Sequence, residues 1–228
     1  MKIAALVPMR HHSQRVPQKN FRILAGKPLY AHILDQLLAC KEIDEIIIDT
    51  DSPVILKDVR AAYPSITLLE RPEHLRADDV PMNEILLYDT SQVKADLYLQ
   101  THSTNPLLKS ATLSDAIQSL VKRMPEYDSL FSATPLKTRL WDQLTQPINH
   151  NPNILLQTQD LPPVYEENSC IYIFSRENLV QRRNRLGYRP YLYAMDPAES
   201  WDIDEELDFL IADVLLSQRT NLPTNTIN

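Results

Sequence analysis

The sequence predicts an α/β fold, a mainly parallel sheet flanked by helices with one irregular arm. Short apolar runs alternate with stretches of helical apolar spacing through most of the 228 residues. That order buries parallel strands between two helix layers. A second observation places ligand chemistry on the fold. Directly after the first apolar run, Ile3-Ala4-Ala5-Leu6-Val7, the segment from Arg10 to Lys27 holds five Lys or Arg and no Asp or Glu, in a chain of net charge −7. A cationic loop leaving the C-terminal end of a first strand is where such sheets bind phosphates. A solvated basic loop is the alternative.

Ile3–Val7 reads as the first strand, and Leu29–Ala39 as a helix through Ile33, Leu34, Leu37 and Leu38. Glu45–Asp49 is a buried strand, Val54–Tyr63 a helix with Pro53 suited to its first turn, and Thr67–Leu69 a short strand. Asn83–Ser91 is helical and Asp96–Gln100 extended. Ala111–Met124 places Leu113, Ile117, Leu120 and Val121 on one helix face, and Ser129–Thr134 is the next strand. From Leu136 to Asn168 the rhythm breaks, with Pro147, Pro152, Pro162 and Pro163 among many Asn and Gln. So long an irregular stretch in a compact domain is usually functional or lies at an interface. Order returns with strands Ile171–Phe174 and Tyr191–Ala194. A final helix, Glu205–Ser217, carries Leu207, Leu210, Ile211, Val214 and Leu215 at helical spacing.

Hydrophobic residues make up 43% and charged residues 23%, the balance of a soluble globular protein. No apolar stretch is long enough for a bilayer, and the N-terminus has no leader pattern, so a cytoplasmic protein without a membrane partner is expected. Cys40 and Cys170 lack CxxC spacing, which indicates neither zinc nor a disulfide framework. Net negative charge argues against a nucleic-acid partner. Gly26 and Gly187 are the only glycines, which excludes GxGxxG and GxxxxGK[ST] and with them dinucleotide-binding and P-loop sites. Phosphate must therefore be gripped by side chains, each charged hydrogen bond contributing roughly 1.5–3 kcal/mol.

Negative charge gathers at the other end, where Asp196 to Asp213 contains eight carboxylates and no Lys or Arg. A compact basic loop and an acidic segment suit a small polyanion held with a divalent cation. Asp202 and Asp204 stand two apart before the last helix, so an extended segment points both the same way, and oxygen ligands suit Mg²⁺. Alternatively Asp204 caps that helix and Asp202 is a surface acid. In Asp49-Thr50-Asp51 the acids are either metal ligands or a cap for the next helix.

Arg10, Ser13, Pro17, Lys19 and Asn20 match an Arg-x-x-Ser-x-x-x-Pro-x-Lys-Asn signature. Further matches follow in order: Gly26-Lys27-Pro28-Leu29, Thr50-Asp51, Arg71-Pro72, Gln100, Leu136-Lys137, Asn168 with Ile171-Tyr172, and Asp202-Ile203-Asp204 before Glu206-Leu207-Asp208. On these residues the chain resembles the acylneuraminate cytidylyltransferases (CMP-sialic acid synthetase-like enzymes) over almost its whole length. The resemblance implies a single nucleotidyltransferase domain over 1–228, similar in fold to nucleotide-sugar transferases and dimerising through an arm, here 136–168. The implied reaction is CMP transfer from CTP to a 2-keto sugar acid, with release of pyrophosphate. The resemblance also implies residue roles. Arg10 and Lys19 bind the triphosphate and, with Asp204, form the catalytic set; Ser13, Asn20 and Arg71 help hold the nucleotide. Gln100, Lys137 and Asn168 belong to the sugar side, and Asp202 and Asp204 hold Mg²⁺.

The chain departs from the family pattern in three places. His11-His12 replaces small residues in the basic loop. The segment from Gln100 to Pro106 is two residues longer than usual, and Gln157-Thr158-Gln159-Asp160 lacks the Arg that sialic-acid enzymes often place before the Leu-Pro matching Leu161-Pro162. The last two changes touch the sugar side, so sialic acid itself is not the expected acceptor. Competing readings are a nucleotidyltransferase using another NTP or a sugar phosphate, and a catalytically degenerate regulator that binds nucleotide or sugar acid.

Overall fold

The computed structural model describes residues 1–221. In chain order it contains β1 (Ile3–Met9), a small hairpin of β2 (Ile23–Leu24) and β3 (Lys27–Pro28), α1 (Leu29–Ala39), β4 (Glu45–Thr50), α2 (Pro53–Ala62), β5 (Thr67–Glu70), α3 (Met82–Gln92) and β6 (Leu97–Gln100). Then come α4 (Ser110–Arg123), β7 (Ser129–Leu136), β8 (Val164–Phe174), α5 (Arg176–Arg182), β9 (Pro190–Ala194) and α6 (Glu206–Asn221). The main sheet runs β5-β4-β1-β6-β8-β7-β9. β8 is antiparallel to both of its neighbours, and every other pairing is parallel.

β1 is apolar on both faces because helices cover both. Ala5, Val7 and Met9 pack with Ile33, Leu34 and Leu37 of α1 and Leu113 and Ile117 of α4. Ala4 and Leu6, one residue out of phase, pack on the other face with Ile47, Tyr98 and Leu86 of α3. Each such fully buried side chain contributes about 1.5–3 kcal/mol, which makes β1 the rigid axis of the sheet. β4 and β6 flank it, so the chain leaves β1 toward one side and reaches β6 on the other. Loops after β1 and β6 therefore meet at a topological switch point, where open α/β sheets form their ligand crevice.

Three elements differ from the sequence expectation. β8 begins at Val164, inside the stretch expected to be irregular, and β7 continues to Leu136. Their antiparallel pairing, Ala133↔Glu167 to Leu136↔Val164, zips the root of the arm and leaves 137–163 as its irregular part. α5 was not expected; seven residues are too few for a periodic signal, and Ser175 starts it by accepting a hydrogen bond from Asn178 N at 3.2 Å. α6 turns a different face inward. Phe209 and Ala212 are buried with Val16, Leu24, Leu29 and Ile203, whereas Leu207, Leu210 and Val214 are exposed. Among the described residues no helix is long and apolar enough to cross a membrane.

Candidate active site

The loop after β1 is braced from both ends of the sequence. Asn20 is buried; its Nδ2 donates to Arg10 O at 2.7 Å and its Oδ1 accepts from Ser103 Oγ at 2.7 Å, which ties the β1 loop to the β6 loop. Val16 anchors the loop in the apolar cluster beneath α6. Lys19 Nζ donates to Ile203 O at 2.6 Å and lies 3.7 Å from Asp204 Oδ1, while Arg15 reaches the same oxygen at 2.7 Å. Ser13 Oγ accepts from Val16 N at 3.4 Å and closes a local turn.

The result is a cleft of about 460 Å³ lined by Arg10, Ser13, Arg15, Lys19, Asn20 and His102, among others. Asp78 stands across it, 2.9 Å from an Arg10 guanidinium nitrogen and 2.8 Å from Gln14 Nε2. Of the histidine pair, His12 lines the cleft. His11 turns inward, with Nδ1 2.8 Å from Ser52 Oγ and its ring stacked on Phe21. A second, acidic cavity of about 480 Å³ lies alongside, lined by Glu166, Glu167, Asn168, Ser169, Trp201, Asp202, Asp204 and Asp208.

Asp204 does not cap α6. Asp208, in the first turn, instead reaches back to the amides that precede the helix, its Oδ2 accepting from Asp204 N at 3.0 Å and Glu205 N at 2.8 Å, while the Asp204 side chain meets Arg15 and Lys19. Asp202 is exposed on the wall of the acidic cavity, where partial desolvation, opposed by a hydrogen bond with Thr104 and reinforced by the charge of Asp204, pushes its carboxyl up from the usual range. Asp49 and Asp51 do not cap α2 either. Ser52 Oγ accepts from Ile55 N at 3.3 Å, Asp51 takes the His11 amide at 2.7 Å, and Asp49 pairs with Arg71.

Structure and expectation diverge at several residues. Arg71 lines neither cavity. It is 1% exposed, with Nε 2.6 Å from Asp49 Oδ1, at the centre of a buried charge cluster that includes Asp89. Burial first, and then the Asp49 charge, pushes the Asp89 carboxyl well up, and Asp49 is the carboxylate that contacts Arg71. Lys137 is exposed near the root of the arm and lines neither cavity. Asn168 touches the acidic cavity, but its amide braces the β7–β8 bulge: Oδ1 accepts from Ser132 Oγ at 2.6 Å and Nδ2 donates to Thr134 Oγ1 at 2.8 Å. Gln100 is buried behind the cleft, its Nε2 2.9 Å from His102 Nε2.

Asp78, His102 and Arg185 escaped the sequence reading. His102 is pushed down to about 4, by burial first and then by the charges of Arg185 and Lys19, and is neutral at physiological pH. Its position two residues after Gln100 in the β6 loop was the available signal. Asp78 and Arg185 lie in irregular loops whose sequence carries no periodic or motif cue.

Fold and site together define an α/β protein with a cationic cleft at the C-terminal edge of its central strands, beside a pair of carboxylates. The chain belongs to the cytidylyltransferase family, whose sequence profile matches residues 4–216. It is 27% identical to the post-translational flagellin modification protein B of Campylobacter coli over 96% of each chain. It is 30% identical to the CMP-N,N'-diacetyllegionaminic acid synthase of Legionella pneumophila, over 95% of this chain and 97% of that one. Against the N-acylneuraminate cytidylyltransferase A of Danio rerio it is 26% identical over 92% of its length, and it spans about half (50%) of that relative. In fold it is similar to a CMP:2-keto-3-deoxy-manno-octonic acid synthetase complexed with CTP, with a TM-score of 0.70 at 17% identity over 96% of this chain and 100% of the other.

Proposed function

We propose that the protein transfers CMP from CTP to a 2-keto sugar acid of the nonulosonic or ulosonic type and releases pyrophosphate. The observation that carries this reading is the meeting of Arg15 and Lys19 with Asp204, 2.7 and 3.7 Å apart, across a sequence separation of up to 189 residues. A phosphate-gripping loop and a carboxylate pair are brought to one edge of the sheet. The likeness to an N-acylneuraminate cytidylyltransferase and a CMP-N,N'-diacetyllegionaminic acid synthase supports the same reading.

In this reading Arg10 and Lys19 hold the triphosphate, and Asn20 fixes the backbone on which Arg10 sits. Lys19 and Arg15, paired with Asp204 in the free protein, turn to phosphate when CTP enters, and the carboxylate is released for another cation. Asp202 and Asp204 would hold Mg²⁺. They are an all-oxygen pair, and no group of three or more potential ligands occurs among the described residues, so phosphate and water would complete the shell. The ion supplies charge neutralisation at the α-phosphate and a more acidic sugar hydroxyl. The acceptor hydroxyl loses its proton to solvent as its oxygen forms a bond to the α-phosphorus and the α–β bridging bond breaks in line, and the basic loop keeps the departing pyrophosphate. The arm, with Leu144 71% and Leu155 89% exposed, is the surface this reading assigns to a second copy of the chain.

The test is pyrophosphate release with CTP, Mg²⁺ and a panel spanning neuraminic, legionaminic and 2-keto-3-deoxy-manno-octonic acids. At least one acid should turn over, and silence across the panel overturns the reading. Asp204→Asn should lower kcat by about 10³-fold, several kcal/mol of lost charge stabilisation, while CTP still binds. Turnover that survives this change removes the metal assignment.

A further inference from the structure

Between the two cavities sits a guanidinium that no motif assigns. Arg185 donates to Gln100 Oε1 at 2.6 Å, and its guanidinium carbon lies 3.4 Å from the centroid of the Tyr172 ring. Both contacts lead to a cavity wall. Gln100 is hydrogen-bonded to His102, which lines the phosphate cleft. The Tyr172 hydroxyl meets Glu167 and Ser169, which line the acidic cavity. The Arg185 backbone N is 3.2 Å from Asn83 Oδ1, next to Met82 of the cleft lining. Arg185 lines neither cavity itself, but it is only half-buried and is linked to residues of both walls.

Its charge has no carboxylate in direct contact; Glu167, bonded to the Tyr172 hydroxyl, acts on it from farther off. Among the described residues no carboxylate stands within 4.0 Å of Arg185, and the neutral Gln100 amide takes one of its five donors. An acidic acceptor entering beside Glu166, Glu167, Asp202, Asp204 and Asp208 is repelled unless a cation meets it. Lys19 is directed at Ile203 O and Asp204, and His102 is neutral, so neither supplies that charge between the cavities. A planar guanidinium clamped on an aromatic ring presents a fixed fork that matches a carboxylate in two parallel hydrogen bonds. We propose that Arg185 is the residue that receives the carboxylate of the acceptor sugar acid and thereby selects acids over neutral sugars. This rests on the transfer reading above.

The experiment measures pyrophosphate release by the wild type, Arg185→Met and Arg185→Lys, with the productive sugar acid and with its methyl ester. Arg185→Met keeps apolar bulk on Tyr172 and should raise the KM for the acid about 100-fold, leave the KM for CTP within about twofold, and erase the preference for acid over ester. Arg185→Lys keeps the charge without the fork and should fall between, at about tenfold. If Arg185→Met does not fold, the lysine variant decides alone: an unchanged KM for the acid overturns the assignment. A wild type that turns over while Arg185→Met keeps its KM for the acid and its acid preference removes Arg185 and leaves the transfer reading standing. A wild type silent with every acid overturns the transfer reading and Arg185 with it.

Discussion

The basic loop of residues 10–22 and the arm of residues 137–163 are both irregular chain, yet they are held by opposite means. The loop is fastened to distant parts of the molecule: Asn20 to the β6 loop, Val16 to the apolar cluster under α6, and Lys19 and Arg15 to the segment before that helix. Most bonds of the arm stay within it. Asp142 Oδ1 accepts from Leu144 N and Gln146 N, and Asn149 clasps Leu140 N and Thr138 O, while Leu144, Ile148, Ile154 and Leu155 face outward. Irregular backbone is thus not one physical state. The loop's backbone is fixed by these contacts, so a ligand that binds there has only side chains to reorder. The arm leaves its apolar side chains uncovered within one chain.

Three substitutions sharpen or break this contrast. Lys19→Ala, at a side chain only 13% exposed, should weaken CTP by about 1.5–3 kcal/mol in a calorimetric titration; an unchanged affinity would mean that the braced loop is not the phosphate grip. Asn20→Ala leaves Arg10 O and Ser103 Oγ without their partners and should cost about 1–3 kcal/mol of unfolding free energy in urea. Leu155→Ser should change the stability of the isolated chain by less than about 0.5 kcal/mol. An arm substitution as costly as the Asn20 change would erase the distinction between the two regions.

The strand and helix alternation was legible because each core face repeats within a few residues, as in Ala5-x-Val7-x-Met9 or Ile33, Leu34 and Leu37. β8 was read seven residues short because Pro162 and Pro163 precede it and its first half, Tyr165 to Glu167, is exposed. On α6 two apolar stripes compete, and spacing favoured Leu207, Leu210 and Val214 over Phe209 and Ala212. Only the hairpin and loop packed against the helix decide between them.

The sequence by itself determined the parallel α/β architecture, the cationic loop after the first strand and the acidic segment near the end. Periodicity and local charge are properties of neighbours along the chain, and they are readable there. The tertiary structure decided which partners those charges meet. It sent Arg71 inward to Asp49, turned Asp208 back onto the amides of Asp204 and Glu205, and set Arg185 beside Gln100 and Tyr172. Arg185 and Gln100 are 85 positions apart, and Arg15 and Asp204 are 189 apart. Such contacts exist only because the sheet order folds β1, β6 and β8 side by side, and local sequence carries no record of that order.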